Sequence, residues 1–113
     1  MKFLTKDLER KLIANYEANK NNEGIDHKPV VKFFGGAACT WLISEYDYKS
    51  GLMFGLCDLG AGFPELGYVS RDDLEDLRFP PFGLPIERDL HFEADKTLSE
   101  YAEEAKKAGR IVA

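Results

Sequence analysis

The sequence predicts an α+β fold in a single domain, residues 1–113. A small antiparallel sheet of four or five strands packs against an N-terminal helix, with a short middle helix and a C-terminal helix. Three observations carry this expectation. Apolar residues recur at three-to-four spacing near the N-terminus, and helix start and stop signals bracket a segment near the C-terminus. Between them lie short runs rich in β-branched and aromatic residues, separated by glycine-containing turns. Prolines at 80, 81 and 85 exclude a helix interior from 80–85, because each removes a donor and fixes the backbone.

Taken in order, residues 5–22 read as a helix. Thr5 caps its start, Asp7 suits the positive end of the dipole, and Leu8, Leu12, Ile13 and Tyr16 form one apolar stripe. The stretch 21–26 breaks it, with Gly24 supplying a left-handed turn. Residues 29–34, 39–46 and 52–59 read as three strands of an antiparallel meander, bent at Gly35-Gly36 and turned at 47–51. Gly55 inside the third run marks a bulge or a close backbone approach. A loop at 60–66 leads to a short strand at 67–70. Ser70 and Asp73 then form a capping-box-like start to a helix over 71–79, with Leu74 and Leu77 facing inward. The last helix, 97–109, opens on the capping box Thr97 to Glu100 and stops at Gly109.

Composition removes several function classes. Hydrophobic residues at 44% and charged residues at 31% give globular rather than disordered chemistry. A chain of 113 residues buries roughly 65% of its unfolded surface, enough for one modest core. No apolar run approaches the ~20 residues of a membrane span, and the charged start lacks the apolar region of a signal peptide, so a cytoplasmic location is expected. Cys39 and Cys57 lie in apolar runs, suit buried inert thiols and have no zinc-knuckle spacing. The net charge is −5 and uneven: residues 1–57 hold eight Lys or Arg against seven Asp or Glu, whereas 58–113 hold seven against thirteen. An acidic half disfavours nonspecific nucleic-acid binding and suits a basic protein partner.

The stretch "GLPIERDLHF", 83–92, gathers most of the chemistry-bearing side chains. In an extended segment Ile86, Arg88, Leu90 and Phe92 share one face, and Glu87, Asp89, His91 and Glu93 the other. The plainer reading is a half-buried strand with an acidic solvated face, in which Arg88 snorkels or pairs with a carboxylate. The sharper reading is an enzyme, a metal-dependent hydrolase for instance, centred on Glu87, Asp89 and His91. A metal site needs further ligands, and His27 has no ligand spacing, so neither a metal nor a cofactor is expected. No Gly-x-Ser-x-Gly elbow, phosphate loop or dinucleotide fingerprint is present, and no catalytic residue is assigned. The acidic patch of Glu65, Asp72, Asp73, Glu75 and Asp76 reads either as a solvated helix start or as a docking surface for a basic partner. Trp41 and Tyr46 read as core or sheet-face residues rather than base-stacking platforms.

The series "VKFF" (31–34), "TW" (40–41), "FGL" (54–56), "ELGYVS" (65–70) and "GLPIERDLHF" (83–92), after the opening "LT" (4–5), resembles the bacterial family called domain of unknown function 2958 over roughly residues 3 to 100. The resemblance implies a small protein carried by plasmids, integrative elements and phages, related to domains that sit beside antirestriction-type modules. It implies no established enzymatic activity and hence no catalytic residue to carry over. It points to Glu65, Tyr68, Pro85, Glu87, Arg88 and Asp89 as a signature centre, with Arg88 expected to be buried and paired with Glu87, Asp89 or Glu65. The expected function is that of a non-catalytic accessory protein of a mobile element. It would bind a host or element-encoded protein with a basic surface, in a counter-defence role of anti-restriction or anti-CRISPR type. Membrane association is not expected.

Overall fold

The first helix forms where its capping signals stand. In the computed structural model, which describes residues 2–22 and 24–113, Thr5 Oγ1 accepts the Leu8 N–H at 3.2 Å and opens α1 (Lys6–Asn21). Gly24 turns the chain at φ 87°, and Asn19 closes that turn by bonding both the N–H and the carbonyl of Ile25. Glu23, part of the expected helix-breaking stretch, lies outside the described residues.

Strands β1 (Val31–Gly35), β2 (Cys39–Asp47), β3 (Leu52–Asp58) and β4 (Glu65–Ser70) form the expected antiparallel meander. After β4 come α2 (Arg71–Asp76), a two-stranded hairpin of β5 (Arg78–Phe79) and β6 (Leu84–Pro85), and β7 (Glu87–Arg88), which pairs with the outer side of β1. The sheet order is β4-β3-β2-β1-β7. Helix α3 (Leu98–Ala108) closes the fold, with both halves of its Thr97–Glu100 capping box made and Gly109 left-handed at φ 74°.

Both faces of the sheet are covered. On one face α1 and α2 bury Leu12, Val31, Phe33, Trp41, Ile43, Met53 and Leu74. On the other, α3 buries Leu42, Leu56, Leu98, Tyr101 and Ala105. Strand β2 is therefore buried from Trp41 through Tyr46. A bulge between Ile43 and Glu45 leaves Ser44 without a cross-strand partner, and the Asn15 side-chain amide of α1 donates to its carbonyl at 2.9 Å. Gly55 faces this bulge, and a Cβ there would be driven into the Leu42 carbonyl oxygen. Gly35 and Gly36 do more than bend the chain. They form a flat shelf for the Phe79 ring, where added Cβ atoms would meet it at 2.5 and 2.7 Å.

Four expectations are corrected. Strand β4 begins at Glu65, inside what reads as a loop. The helix expected over 71–79 ends at Asp76, because Phe79 precedes Pro80 and is pushed to extended backbone. Arg78 Nη1 closes that helix by donating to the carbonyls of Glu75 and Leu77 at 2.9 and 2.8 Å. The Ser70 box is one-sided: Ser70 Oγ accepts the Asp73 N–H, while the shorter Asp73 side chain makes no return bond among the described residues. The strand expected over 86–93 stops at Arg88. Asp89 Oδ1 accepts the His91 N–H at 2.9 Å in a side-chain-closed turn. Leu90 is left exposed, and Phe92 packs with α3 on the opposite face from Ile86.

Replacing Gly55 with Ala should lower stability by about 2–3 kcal/mol, since the obstruction is backbone and cannot move aside. Thermal unfolding followed by circular dichroism should show a Tm roughly 10 °C lower. A second expectation concerns acid. The Asp26 carboxylate accepts both the N–H and the hydroxyl of Ser99, tying the loop after α1 to the start of α3. Burial pushes Asp26 up, but the Ser99 and Thr97 hydrogen bonds outweigh it and hold its pKa below the ordinary 3.8. A depressed carboxylate stabilises the fold above its unfolded value and loses that contribution as pH falls through the folded one. Asp26→Asn should be less stable than the parent at neutral pH, and the gap should close as pH drops below 3.8, measured by urea titration across pH.

Candidate functional site

With both sheet faces occupied, the edges carry the exposed chemistry. Strand β4 pairs only with β3, so the backbone groups along its other side have no strand partner among the described residues. Its alternation puts Leu66 beside Leu56 and Tyr68 beside Phe54, on the face that α3 shares. Helix α3 stops short of this rim. Tyr68 is 71% exposed, its ring leaning on Phe54 at 5.0 Å; Leu66 is 45% exposed and Phe63, just before the strand, 78%. A groove of about 820 Å³ runs between this rim and α3, with Phe63, Leu66, Ala102, Glu103 and Lys106 in its walls. An apolar strip beside an open strand edge is a docking geometry.

The acidic helix follows directly. Asp72, Asp73, Glu75 and Asp76 all lie on α2 and are exposed, and Glu65 opens β4, so the expected acidic patch borders the same edge. The four helix acids are not equivalent. Glu75 is engaged by Arg71 Nε at 2.9 Å, and Arg71 Nη1 also reaches Glu9 of α1 at 2.5 Å. The same guanidinium lies 5.8 Å from the Phe3 ring centre and 5.2 Å from that of Tyr46. Burial pulls the Arg71 pKa down, but hydrogen bonds to Glu9 and Glu75 outweigh it and hold it above the ordinary arginine value. Glu75 is thus structural, whereas Asp72, Asp73 and Asp76 make no ion pair among the described residues.

The remaining signature residues lie across the sheet. Glu87 and Arg88 form β7 at the far edge, Pro85 ends β6, and Asp89 follows β7. Glu65 and Tyr68 are therefore separated from Glu87, Arg88 and Asp89 by the three intervening strands, and the signature is two edge sites rather than one centre. The expected carboxylate partner of Arg88 is also corrected. Arg88 Nη2 donates to the Lys2 carbonyl at 3.3 Å, and no carboxylate lies within ion-pair distance among the described residues. Asp89 instead faces Lys32 at 3.8 Å, and Glu87 is exposed. His91 is exposed beyond the turn, and among the described residues no group of three His, Cys, Asp or Glu is placed to hold a metal ion. Burial pushes the Cys39 and Cys57 thiols up, with the Asp58 carboxylate adding to the effect at Cys39, so neither is an activated nucleophile.

Sequence reasoning passes over Phe63, Leu66 and the α3 wall of the groove, and over Arg71 as a tie between elements. The alternation Leu66-x-Tyr68 is visible, but only the short reach of α3 reveals that this face is uncovered.

The fold and its edges define a small α+β protein whose five-stranded sheet is covered on both faces and exposed along its rims. The chain belongs to the family described as "Protein of unknown function (DUF2958)", whose model matches residues 3–112. No curated protein and no solved structure matches it. No helix among the described residues is long and apolar enough to cross a membrane.

Replacing Arg71 with Met should cost about 2 kcal/mol of stability, because the ion pairs and ring contacts that join α1, β2 and α2 go together. A double-mutant cycle with Glu9→Gln, read by urea unfolding, should give a coupling of roughly 1 kcal/mol.

Proposed function

We propose that this protein is a non-catalytic binding factor that docks an extended basic segment of a partner protein along the free edge of β4. The supporting observation is the coincidence, on one rim, of an unpaired strand edge, the exposed Leu66–Tyr68 strip and the unpaired acids of α2. A strand added to β4 bonds main chain to main chain, its apolar side chains enter the groove beside Phe63, and its Lys or Arg residues meet Asp72, Asp73 and Asp76. The family resemblance supplies the setting: an accessory protein of a plasmid, integrative element or phage, acting on a host or element-encoded protein in a counter-defence role.

A tagged protein expressed in the host bacterium, with bound proteins identified by mass spectrometry, tests this reading. One stoichiometric partner is expected. A Leu66→Lys, Tyr68→Ala variant should bind the purified partner about 30-fold more weakly, as for loss of a central apolar anchor. Glu65→Gln with Asp72, Asp73 and Asp76→Asn should weaken binding mainly at low salt, and Glu75 is left in place because Arg71 depends on it. A partner held equally well by both folded variants, or no partner at all, overturns the proposal.

A further inference from the structure

The far edge of the sheet holds a second site of opposite charge. A cavity of about 420 Å³ lies between the N-terminal segment, the β5–β6 hairpin and β7, within the size range of small-ligand pockets. Lys2, Arg78 and Arg88 line it, with Phe3 and Ile86 in its apolar wall. Three cations around one cavity stand out in a chain of net charge −5.

These cations lack the usual partners. Among the described residues, none of the three is within ion-pair distance of a carboxylate. Arg78 spends Nη1 on two backbone carbonyls. Among the described residues Arg88 makes one long bond, to the Lys2 carbonyl, and its Nε, shut off from solvent, has no acceptor. A guanidinium carries five N–H donors in a rigid fork; with Nε shut off from solvent, a ligand in the cavity meets Arg88 through the outer Nη end of that fork, and Nε–Hε reports on it through the shared guanidinium. Of the two acids on this cavity, Glu75 is already neutralised by Arg71, and Glu87 is exposed at the rim. The local balance is cationic and drawn from three separate segments of the chain, an arrangement suited to a compact dianion with several acceptor oxygens.

We propose that this cavity binds the phosphate group of a small phosphorylated ligand. Arg88 and Arg78 take the phosphate oxygens, and Phe3 and Ile86 pack against the organic part. Arg88, the signature residue expected to sit in an internal ion pair, is then a ligand contact. This site is independent of the β4 edge and stands or falls separately from the protein-docking reading.

The test is a titration of the ¹⁵N-labelled full chain with inorganic phosphate, followed at the arginine Nε–Hε resonances and compared with sodium chloride at equal ionic strength. Assignment through the backbone makes the first arm independent of any variant. The Arg88 Nε–Hε signal should shift saturably with phosphate and stay in place with chloride. Arg78→Gln and Arg88→Lys, each checked for folding by circular dichroism, should weaken phosphate binding about tenfold or more. An Arg88 signal that does not move, that moves equally with chloride, or phosphate affinity unchanged in both folded variants overturns the proposal.

Discussion

Strand β2 is shielded from water from Trp41 through Tyr46, on both of its faces. A strand in that position must have a cover on each side, and α1 and α3 supply them. Within the sheet, backbone rather than side chains occupies the tightest point. Gly55 lets β3 pass the Leu42 carbonyl at the bulge, and the Asn15 amide satisfies the Ser44 carbonyl that the bulge releases. Once both faces are filled, the sheet itself meets solvent along its rims.

The two rims differ in charge for local reasons. Beside β4, Asp72 and Asp73 stand in the first turn of α2, where its dipole favours them, and of the helix acids Arg71 engages only Glu75. Arg71 thereby locks α2 to α1 while leaving Asp72, Asp73 and Asp76 outward. Beside β7 the hairpin of β5 and β6 brings Arg78 to the same cavity as Arg88, and one of the two carboxylates lining it, Glu75, is already engaged by Arg71. An acidic chain thus carries a compact cationic pocket on one edge and an acidic, apolar docking strip on the other.

The hairpin depends on the glycine shelf. The Phe79 ring rests on Gly35 and Gly36, so the end of β1 and the start of the hairpin approach more closely than any side chain at 35 or 36 permits. That contact carries the chain from α2 across to the outer side of β1, where β7 pairs Arg88 with Phe33 and Glu87 with Phe34. The placement of the signature stretch at an edge follows from this crossing.

Much of the fold is legible in the residues themselves. Thr5, Thr97, Glu100, Gly24 and Gly109 act through bonds and backbone angles made within a few positions, so the ends of α1 and α3 follow from local sequence. The three-strand meander and the close approach at Gly55 follow from short apolar runs and one glycine without a side chain. The site is legible only in part. The residue types and the acidic patch are visible, but Glu65 with Tyr68 and Glu87 with Arg88 sit on opposite edges, because strand order is set by long-range packing rather than by neighbours in the chain. The early end of α2 and the turn at Asp89 rest on local signals, the restriction of Phe79 by Pro80 and the bond from the His91 N–H to Asp89 Oδ1, that the apolar periodicity around them masks. The partner of Arg88 was decided in three dimensions. Alternation places its side chain on the inner face, but only the tertiary structure sets it against a backbone carbonyl and an open cavity instead of a carboxylate.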